Sequence, residues 1–332
     1  MGLESVGVVI IGRNEGNRLK ACLLSVIHPQ RVIVYVDSGS TDGSVELAKS
    51  LGVHVVQLDL SIPFTAARAR NMGFEHLLNQ IEPNLQFVQF VDGDCQVVAG
   101  WLELAESQLR ENADLVVVCG RRQEQFPNNS IYNRLCDIEW DTPIGEAKAC
   151  GGDSMMRVSA FKEVGGFNPS LIAGEEPELC VRLRHAGGRI MRLDASMTVH
   201  DAQITRFKQW WRRSLRAGHA YAEGASIHGK PPELHWVKES RSIWFWGFVL
   251  PVAALALAIF TWGLSLLLLL MAYLFLGYRI YKSTKHRISF ADGALYSLFC
   301  VLGKFPQVQG QIQYHLSRLG GKQRTLVEYK EV

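Results

Sequence analysis

The chain is 332 residues and 37.2 kDa, room for two domains, and its 48% apolar and 20% charged residues exclude a disordered chain, a collagen and a disulfide-stapled miniprotein. Net charge is +3 but uneven: residues 1–242 sum to −3, residues 243–278 carry no charge, and residues 279–332 sum to +6. A near-neutral body, an uncharged segment and a basic tail fit a membrane anchor with basic flanks better than a nucleic-acid binder, and the spread of charge over the body argues against a fully integral membrane protein.

The first two hundred residues alternate strand and helix patterns. Val6–Ile11 is a β-branched run that ends at the polar Gly12-Arg13-Asn14-Glu15, and Leu19–Ile27 has helical spacing. Val32–Val36 is the next strand and ends at Asp37, with Val45–Leu51 helical and Val53–Leu58 a strand. Ala66–Leu78 is helical, and Phe87–Val91 is a strand ending at Asp92. Trp101–Leu109 is helical and Leu115–Cys119 a strand, while a helix at Glu178–Ala186 and a strand at Arg189–Leu193 close the series. Continuous apolar strands alternating with amphipathic helices predict an α/β fold with a mostly parallel central sheet covered on both faces. Ligands of such sheets bind beyond the carboxyl ends of the strands, where Asn14, Glu15, Asp37, Asp92 and Asp94 all fall.

Residues 203–242 are basic and Trp-rich, as befits headgroup level in a membrane. The 36 uncharged residues Ile243–Tyr278 are too many for one span: a single helix would measure roughly 54 Å against a hydrocarbon core of ~30 Å. Thr261-Trp262-Gly263 is a natural break, giving a hairpin of two helices of about 18 residues each. Arg241 before the pair and Arg279, Lys282, Lys285 and Arg287 after it place both ends on the cytosolic side. Phe290–Phe305 is apolar but contains Asp292 and Lys304, and is read as an amphipathic surface helix rather than a third span. Only Met1–Ser5 precede the first apolar run, so no signal peptide is expected and the first domain should stay cytosolic. Seven cysteines without a C-x-x-C read as free thiols of a reducing compartment.

Two motifs carry chemistry. Asp92-Gly93-Asp94 is an acid pair at a strand end, able to hold one hard divalent cation (Mg2+ or Mn2+) whose shell a diphosphate completes; the alternative is a solvated turn with Asp92 capping the strand exit. Asp37-Ser38-Gly39-Ser40-Thr41-Asp42-Gly43-Ser44 offers small residues for close ligand approach and an acceptor, Asp37, for a ribose or base edge; the alternative is an ordinary turn and helix cap. A dinucleotide site is disfavoured, because Gly12-Arg13-Asn14-Glu15-Gly16 is not G-x-G-x-x-G.

In this order, these clusters resemble the family 2 glycosyltransferases, which have the GT-A fold. The matching residues run from Val8-Val9-Ile10 and Asn14-Glu15 through Asp37–Ser44, Ala69-Arg70-Asn71-Met72-Gly73 and Phe90–Asp94. They continue at Gly165-Gly166-Phe167 and Gly174-Glu175-Glu176-Pro177-Glu178-Leu179, covering roughly residues 5–200. The resemblance implies a nucleotide-sugar site with Asn14, Glu15, Asp37, Ser38, Arg70, Asp92 and Gly93, and a divalent cation at Asp92, Asp94 and His200. It places the catalytic base at Glu176, the second acid of a pair whose other member is Glu175; this chain has Glu-Glu where Glu-Asp is commoner, which leaves the base open between the two. Pro177 suits the first turn of the helix that follows. Gln209-Trp210-Trp211-Arg212-Arg213 is similar to the Q-x-x-R-W motif of processive synthases but ends in Arg, which speaks against processive polymerisation; Arg212 or Arg213 would reach a phosphate or serve as a membrane-surface cation.

The expectation is therefore an inverting transferase that moves a sugar from a nucleotide-diphospho-sugar to a lipid or lipid-linked hydroxyl acceptor at the cytosolic face of a bacterial plasma membrane. A non-catalytic, membrane-anchored sugar-nucleotide-binding or scaffold subunit is the alternative. No nucleic-acid partner is expected. The expected domains are a catalytic domain at 1–202, an interfacial segment at 203–242, a transmembrane hairpin at 243–280 and a basic amphipathic tail at 281–332.

Overall fold

The structure, a computed structural model, describes residues 5–320. The chain divides into two units: one runs up to Gln125 and resumes at Trp140–Ala202, the other takes Phe126–Glu139 and the chain from Gln203 onward. The first unit ends at Ala202, and 126–139, which lies inside the expected 1–202 domain, falls in the second unit. Hydrogen bonds across 74 and 71 positions tie it there: Ser130 Oγ donates to the Ile204 carbonyl, and the Ile204 N–H donates to Asn133 Oδ1 at 2.9 Å.

In the first unit the parallel strands β1 (Val6–Gly12), β2 (Ile33–Asp37), β3 (His54–Gln57) and β4 (Phe87–Asp92) lie in the order β3-β2-β1-β4. Helices α1 (Asn17–Val26), α2 (Ser44–Ser50) and α3 (Ala66–His76) connect them. Apolar β-branched residues on both faces bury β1 and β2 almost completely, as a strand covered on two sides requires. The register sets Gly12 beside Asp37 and Ile11 beside Asp92, so the three polar clusters converge on one edge as expected. Helix α3 sits close on the sheet because it presents Ala67, Ala69 and Gly73; a Cβ on Gly73 would stand 2.8 Å from Val36 Cγ2.

Beyond β4 the sheet is mixed, where the pattern had implied a mostly parallel one. It continues through β8 (Ser154–Arg157), β6 (Leu115–Glu124), β9 (Arg189–His200) and β5 (Cys95–Val97), with β7 (Gly145–Glu146) on β9. β8 runs antiparallel to both β4 and β6, while β6 and β9 are parallel. Strands of two to four residues such as β5, β7 and β8 are too short to leave a periodic signal, and β6 and β9 run on past Cys119 and Leu193 through polar residues. The helices of this half are α4 (Trp101–Glu111), α6 (Val158–Glu163) and α7 (Glu175–His185). Helix α7 starts three residues earlier than its apolar spacing suggests. Gly174 before it takes φ +81°, a conformation favouring glycine, and three glutamates fill its first turn, where the helix dipole favours anions.

The second unit is helical: α5 (Ile131–Trp140, its last residue in the first unit), α8 (Phe207–His228), α9 (Val237–Trp244), a π turn Phe245–Val249, α10 (Leu250–Leu257), α11 (Leu264–Thr284), α12 (Phe290–Leu302) and α13 (Lys304–Leu319). α8 and α13 cross at Gly218 and Gly310, where a Cβ on Gly310 would come within 2.8 Å of the His219 nitrogen. Two helices among the described residues are long and apolar enough to cross a membrane, Val237–Leu257 and Leu264–Thr284, each of 21 residues or about 31 Å. Trp262 (φ +50°) and Gly263 (φ +82°) form the break between them, as expected. The apolar side chains are exposed, Phe260 at 81% and Trp262 at 99%, so the pair is no buried core hairpin of this chain. The segment 290–305 is not one helix: it breaks at Gly303, and the 13 residues of α12 reach only about 20 Å. Its acid, Asp292, is held by both forks of Arg134 at 2.8 and 2.6 Å, which is how an apolar helix tolerates it. The tail beyond 320, part of the expected 281–332 segment, lies outside the described residues.

Candidate active site

The β1–α1 and β2–α2 loops are bolted together. Asn14, at φ +55°, donates its N–H to Ser40 Oγ at 2.9 Å and accepts from the Thr41 N–H at 2.8 Å, while Gly16 N–H donates to Asp42 at 2.9 Å. Ser38 N–H donates to the Gly12 carbonyl at 3.0 Å. Asp37 is buried and accepts from the Gly39 and Ser40 N–H groups at 2.9 Å and from the Tyr35 hydroxyl at 3.0 Å. Burial pushes the Tyr35 phenol up, so it stays a donor. Glu15 pairs with Arg18 at 2.7 Å, and a Cβ on Gly93 would lie 3.4 Å from Glu15 Cγ, which joins this loop to the acid pair.

The centre of the site is Arg70, 2% exposed and delivered by the close-packed face of α3. Its Nη2 donates to Asp92 Oδ1 at 2.8 Å, and its Nη1 lies 2.8 Å from Glu175 Oε1 and 3.2 Å from Glu176 Oε1. The Phe167 ring, 5.4 Å from the guanidinium, backs it. Burial opposes the Arg70 charge, but the three carboxylates outweigh it and keep the group protonated. The two glutamates differ: the Glu175 side chain is 5% exposed and bound to Arg70, whereas that of Glu176 is 17% exposed. Burial, then the neighbouring Glu175, pushes Glu176 up to about 7, and Arg70 only partly offsets this. Gly152 stands against this cluster; a Cβ there would come 2.9 Å from Asp92 Oδ2 and 3.0 Å from Glu176 Oε1.

Asp94 faces His200, with Oδ2 and Nε2 3.0 Å apart and both residues buried. Burial lowers the His200 pKa, but Asp94 and Glu124 outweigh it and raise it above its ordinary value. The Trp140 ring meets the His200 ring edge-on at 4.7 Å. Asp94, Cys95 and His200 place their donor atoms within 4.8 Å of one another. The Asp94 carboxylate suits Mn2+ or Mg2+ and the His200 imidazole favours Mn2+ of the two, while the Cys95 thiol, which burial pushes well up, is a poor partner for a hard cation. Asp92, named with them in the sequence reading, has both oxygens on guanidinium groups, Oδ2 being 3.2 Å from Arg122 Nη2. Burial would push the Asp92 carboxyl up, but Arg70 and Arg122 hold it below the usual range.

The fold thus gathers Arg70, Asp92, Glu175 and Glu176, joins Asp94 to His200, and sets Asn14, Glu15, Asp37, Ser38 and Gly93 on the same strand-end edge. Arg213 belongs to the second unit, where it donates to Glu139 at 2.7 Å. Sequence reasoning missed Arg122, Trp140, Gly152, Asp153 and Thr198. Gly151-Gly152-Asp153 was a usable signal, a glycine pair before an acid in an irregular stretch; Arg122, Trp140 and Thr198 had none. All seven cysteines are thiols outside any disulfide, with the Cys150 and Cys180 sulfurs 3.5 Å apart.

The family model "Glycosyl transferase family 2" matches residues 7–165, and "N-terminal domain of galactosyltransferase" matches residues 136–208. The succinoglycan biosynthesis protein ExoA of Rhizobium meliloti is 26% identical over 222 residues, covering 62% of this chain and 66% of that protein. The pre-mycofactocin glycosyltransferase of Mycobacterium tuberculosis is 29% identical over 240 residues, covering 68% of this chain and 48% of its own length. The chain therefore matches 66% and 48% of the length of these curated relatives. Among solved structures, a mannosyltransferase from Pyrobaculum calidifontis in complex with GDP-Man and Mn2+ superposes with a TM-score of 0.59 at 18% identity, covering 96% of this chain and 88% of that one. That likeness establishes the GT-A type of fold. Residues 7–165, which hold the strand-end acids and Arg70, match glycosyl transferase family 2, and the Arg70-bound glutamate pair follows just beyond that match.

Proposed function

We propose that the protein is an inverting glycosyltransferase that moves a sugar from a nucleotide-diphospho-sugar to a hydroxyl of a lipid or lipid-linked acceptor at the cytosolic face of a bacterial plasma membrane. The observation that carries this is the pair of adjoining groups at one sheet edge: Arg70 with Asp92, Glu175 and Glu176, and Asp94 with His200. A transferase needs a base near neutrality at the acceptor and a means of neutralising the leaving diphosphate. Glu176, partly exposed and titrating at about 7, suits the first task. Its carboxylate takes the proton of the acceptor hydroxyl as that oxygen bonds to the anomeric carbon. The bond from that carbon to the diphosphate oxygen breaks, its electron pair leaves with the diphosphate, and a single displacement inverts the configuration. Arg70 fixes Glu175 and Asp92 on either side, and Glu176, the more exposed and more distant of the two glutamates from Arg70, is the one that accepts the proton. A divalent cation held by Asp94 and His200 would offset the charge gathering on the diphosphate.

The strand-end loops at Asn14, Glu15, Asp37 and Ser38 would hold the nucleoside, with Asp37 fixed in place by its own turn. The exposed apolar helices Val237–Leu257 and Leu264–Thr284 support anchorage in a bilayer, and the basic residues at both ends support a cytosolic catalytic unit. An anchored site favours an acceptor confined to the same surface. The test is a screen of nucleotide-sugars for divalent-cation-dependent release of nucleoside diphosphate by membranes carrying the wild type. Release should depend on added lipid extract and fall by roughly a hundredfold or more in Glu176→Gln. A wild type inert towards every nucleotide-sugar, with and without lipid, would refute the reading.

A further inference from the structure

Asp92 is the first acid of the strand-end pair, and a network outside the sequence motifs controls what it can do. Arg122 Nη2 lies 3.2 Å from Asp92 Oδ2 and 2.8 Å from Asp153 Oδ2, and Arg122 Nε donates to the same Asp153 oxygen at 2.9 Å. Thr198 Oγ1 donates to that oxygen at 2.7 Å. The other Asp153 oxygen accepts from the Asp92 N–H at 3.0 Å, so one carboxylate fixes both the Asp92 backbone and the arginine bound to its side chain. Asp153 and Thr198 are wholly buried, and the Trp140 ring lies 5.5 Å from the Arg122 guanidinium. A buried carboxylate demands a charged, hydrogen-bonded partner, and a planar guanidinium holds two acids in fixed positions with a rigid fork of donors, where an ammonium is a point charge on a flexible stem. Asp92, Cys95 and Asp153 have donor atoms within 4.8 Å of one another, the spacing of a cation site. Arg122 supplies a fixed positive charge at that place.

We propose that Arg122 and Asp153 are positioning residues for the acid pair: Arg122, anchored on Asp153, turns Asp92 away from the divalent cation, so that Asp94 and His200 are its protein ligands and Asp92 serves to orient Arg70. This rests on the reading of the site as that of a cation-dependent sugar transferase. The arrangement divides labour between two acids that otherwise compete for one ion. It also ties the glutamate pair to the cation site, because Asp92 is shared between Arg122 and the Arg70 that holds Glu175.

The test is Mn2+ binding by the full-length protein in detergent without nucleotide, read from the paramagnetic resonance signal of free Mn2+. Arg122→Gln/Asp153→Asn removes one charge of each sign, so the local field is preserved while Asp92 is released. We expect this variant to bind Mn2+ roughly tenfold tighter than wild type, the gain from one added carboxylate ligand, and its turnover to fall. Adding Asp92→Asn should return the affinity to the wild-type value. Unchanged or weaker binding in the double variant, or a gain that survives Asp92→Asn, would overturn the proposal. Arg122→Lys keeps the charge but loses the rigid fork that fixes both acids, and should tighten Mn2+ in smaller measure; wild-type affinity there counts equally against the proposal, even if the double variant does not fold. A wild type that binds no Mn2+ overturns the cation reading along with the proposal. Wild-type binding that is lost in Asp94→Ala yet indifferent to Arg122 overturns the positioning role alone.

Discussion

Glu176→Gln separates chemistry from stability in a single substitution. Gln keeps the size and polarity of the side chain but cannot take a proton from the acceptor, so turnover should fall by roughly a hundredfold or more while nucleotide-sugar affinity survives. The same change should stabilise the fold. Glu176 titrates at about 7 in the folded protein against an ordinary 4.5, which makes its ionised form in the folded state unfavourable by about 3 kcal/mol. Between those two pH values the folded chain holds a proton that the unfolded chain has lost, so this group's contribution to stability falls as pH rises and is lowest above 7. Gln carries no charge at any pH. The variant should therefore exceed wild type by up to about 3 kcal/mol at pH 8, with the gain shrinking as pH is lowered towards 4.5. In wild type, kcat/KM should climb about tenfold from pH 6 to pH 8 as the base loses its proton, and the residual rate of the variant should lack that climb. Thermal denaturation at two pH values and a pH–rate profile measure both effects. A variant as active as wild type at pH 8, or one with no gain in stability there, would refute the argument. Loss of turnover only in Glu175→Gln would put the base on the other glutamate.

Asp94→Ala should abolish transfer and Mn2+ binding while leaving the circular dichroism spectrum unchanged, and excess chelator should do the same to wild type; full activity in either case contradicts the cation role. Gly152→Ala drives a methyl group against the Arg70 guanidinium and places it 2.9 Å from Asp92 and 3.0 Å from Glu176, and should cost about a hundredfold in kcat by displacing the guanidinium and both carboxylates, measured against the denaturation midpoint as a folding control. A cysteine at Trp262, 99% exposed at the turn between the apolar helices, should react with an impermeant thiol reagent from outside intact cells. One placed at Glu331, beyond the described residues, should not react; labelling there would put the C-terminus outside and demand a third span.

Much of the first unit was legible because its signals are local. β1, β2 and β4 each end in a polar cluster within one or two residues of an apolar run, and parallel pairing brings such ends together whatever the details. The Thr261–Gly263 break was equally local, set by length and by a glycine in a long apolar run. What local pattern could not give is the second half of the sheet, where β5, β7 and β8 are too short for any periodicity and β8 reverses direction.

The sequence by itself determined the family resemblance, the strand-end acids, the glutamate pair and the uncharged hairpin, since each is a contiguous motif whose chemistry needs no distant partner to be recognised. Only the tertiary structure decided how those groups are wired. Arg70 reaches Glu175 across 105 positions and Asp94 reaches His200 across 106, while Arg122 meets Asp153 across 31. It also decided which glutamate stays accessible and where Arg213 points. Such contacts follow from strand order and from how deeply each carboxylate is buried. Both are set by packing over the whole unit, and neither leaves a trace in the spacing of residues along the chain.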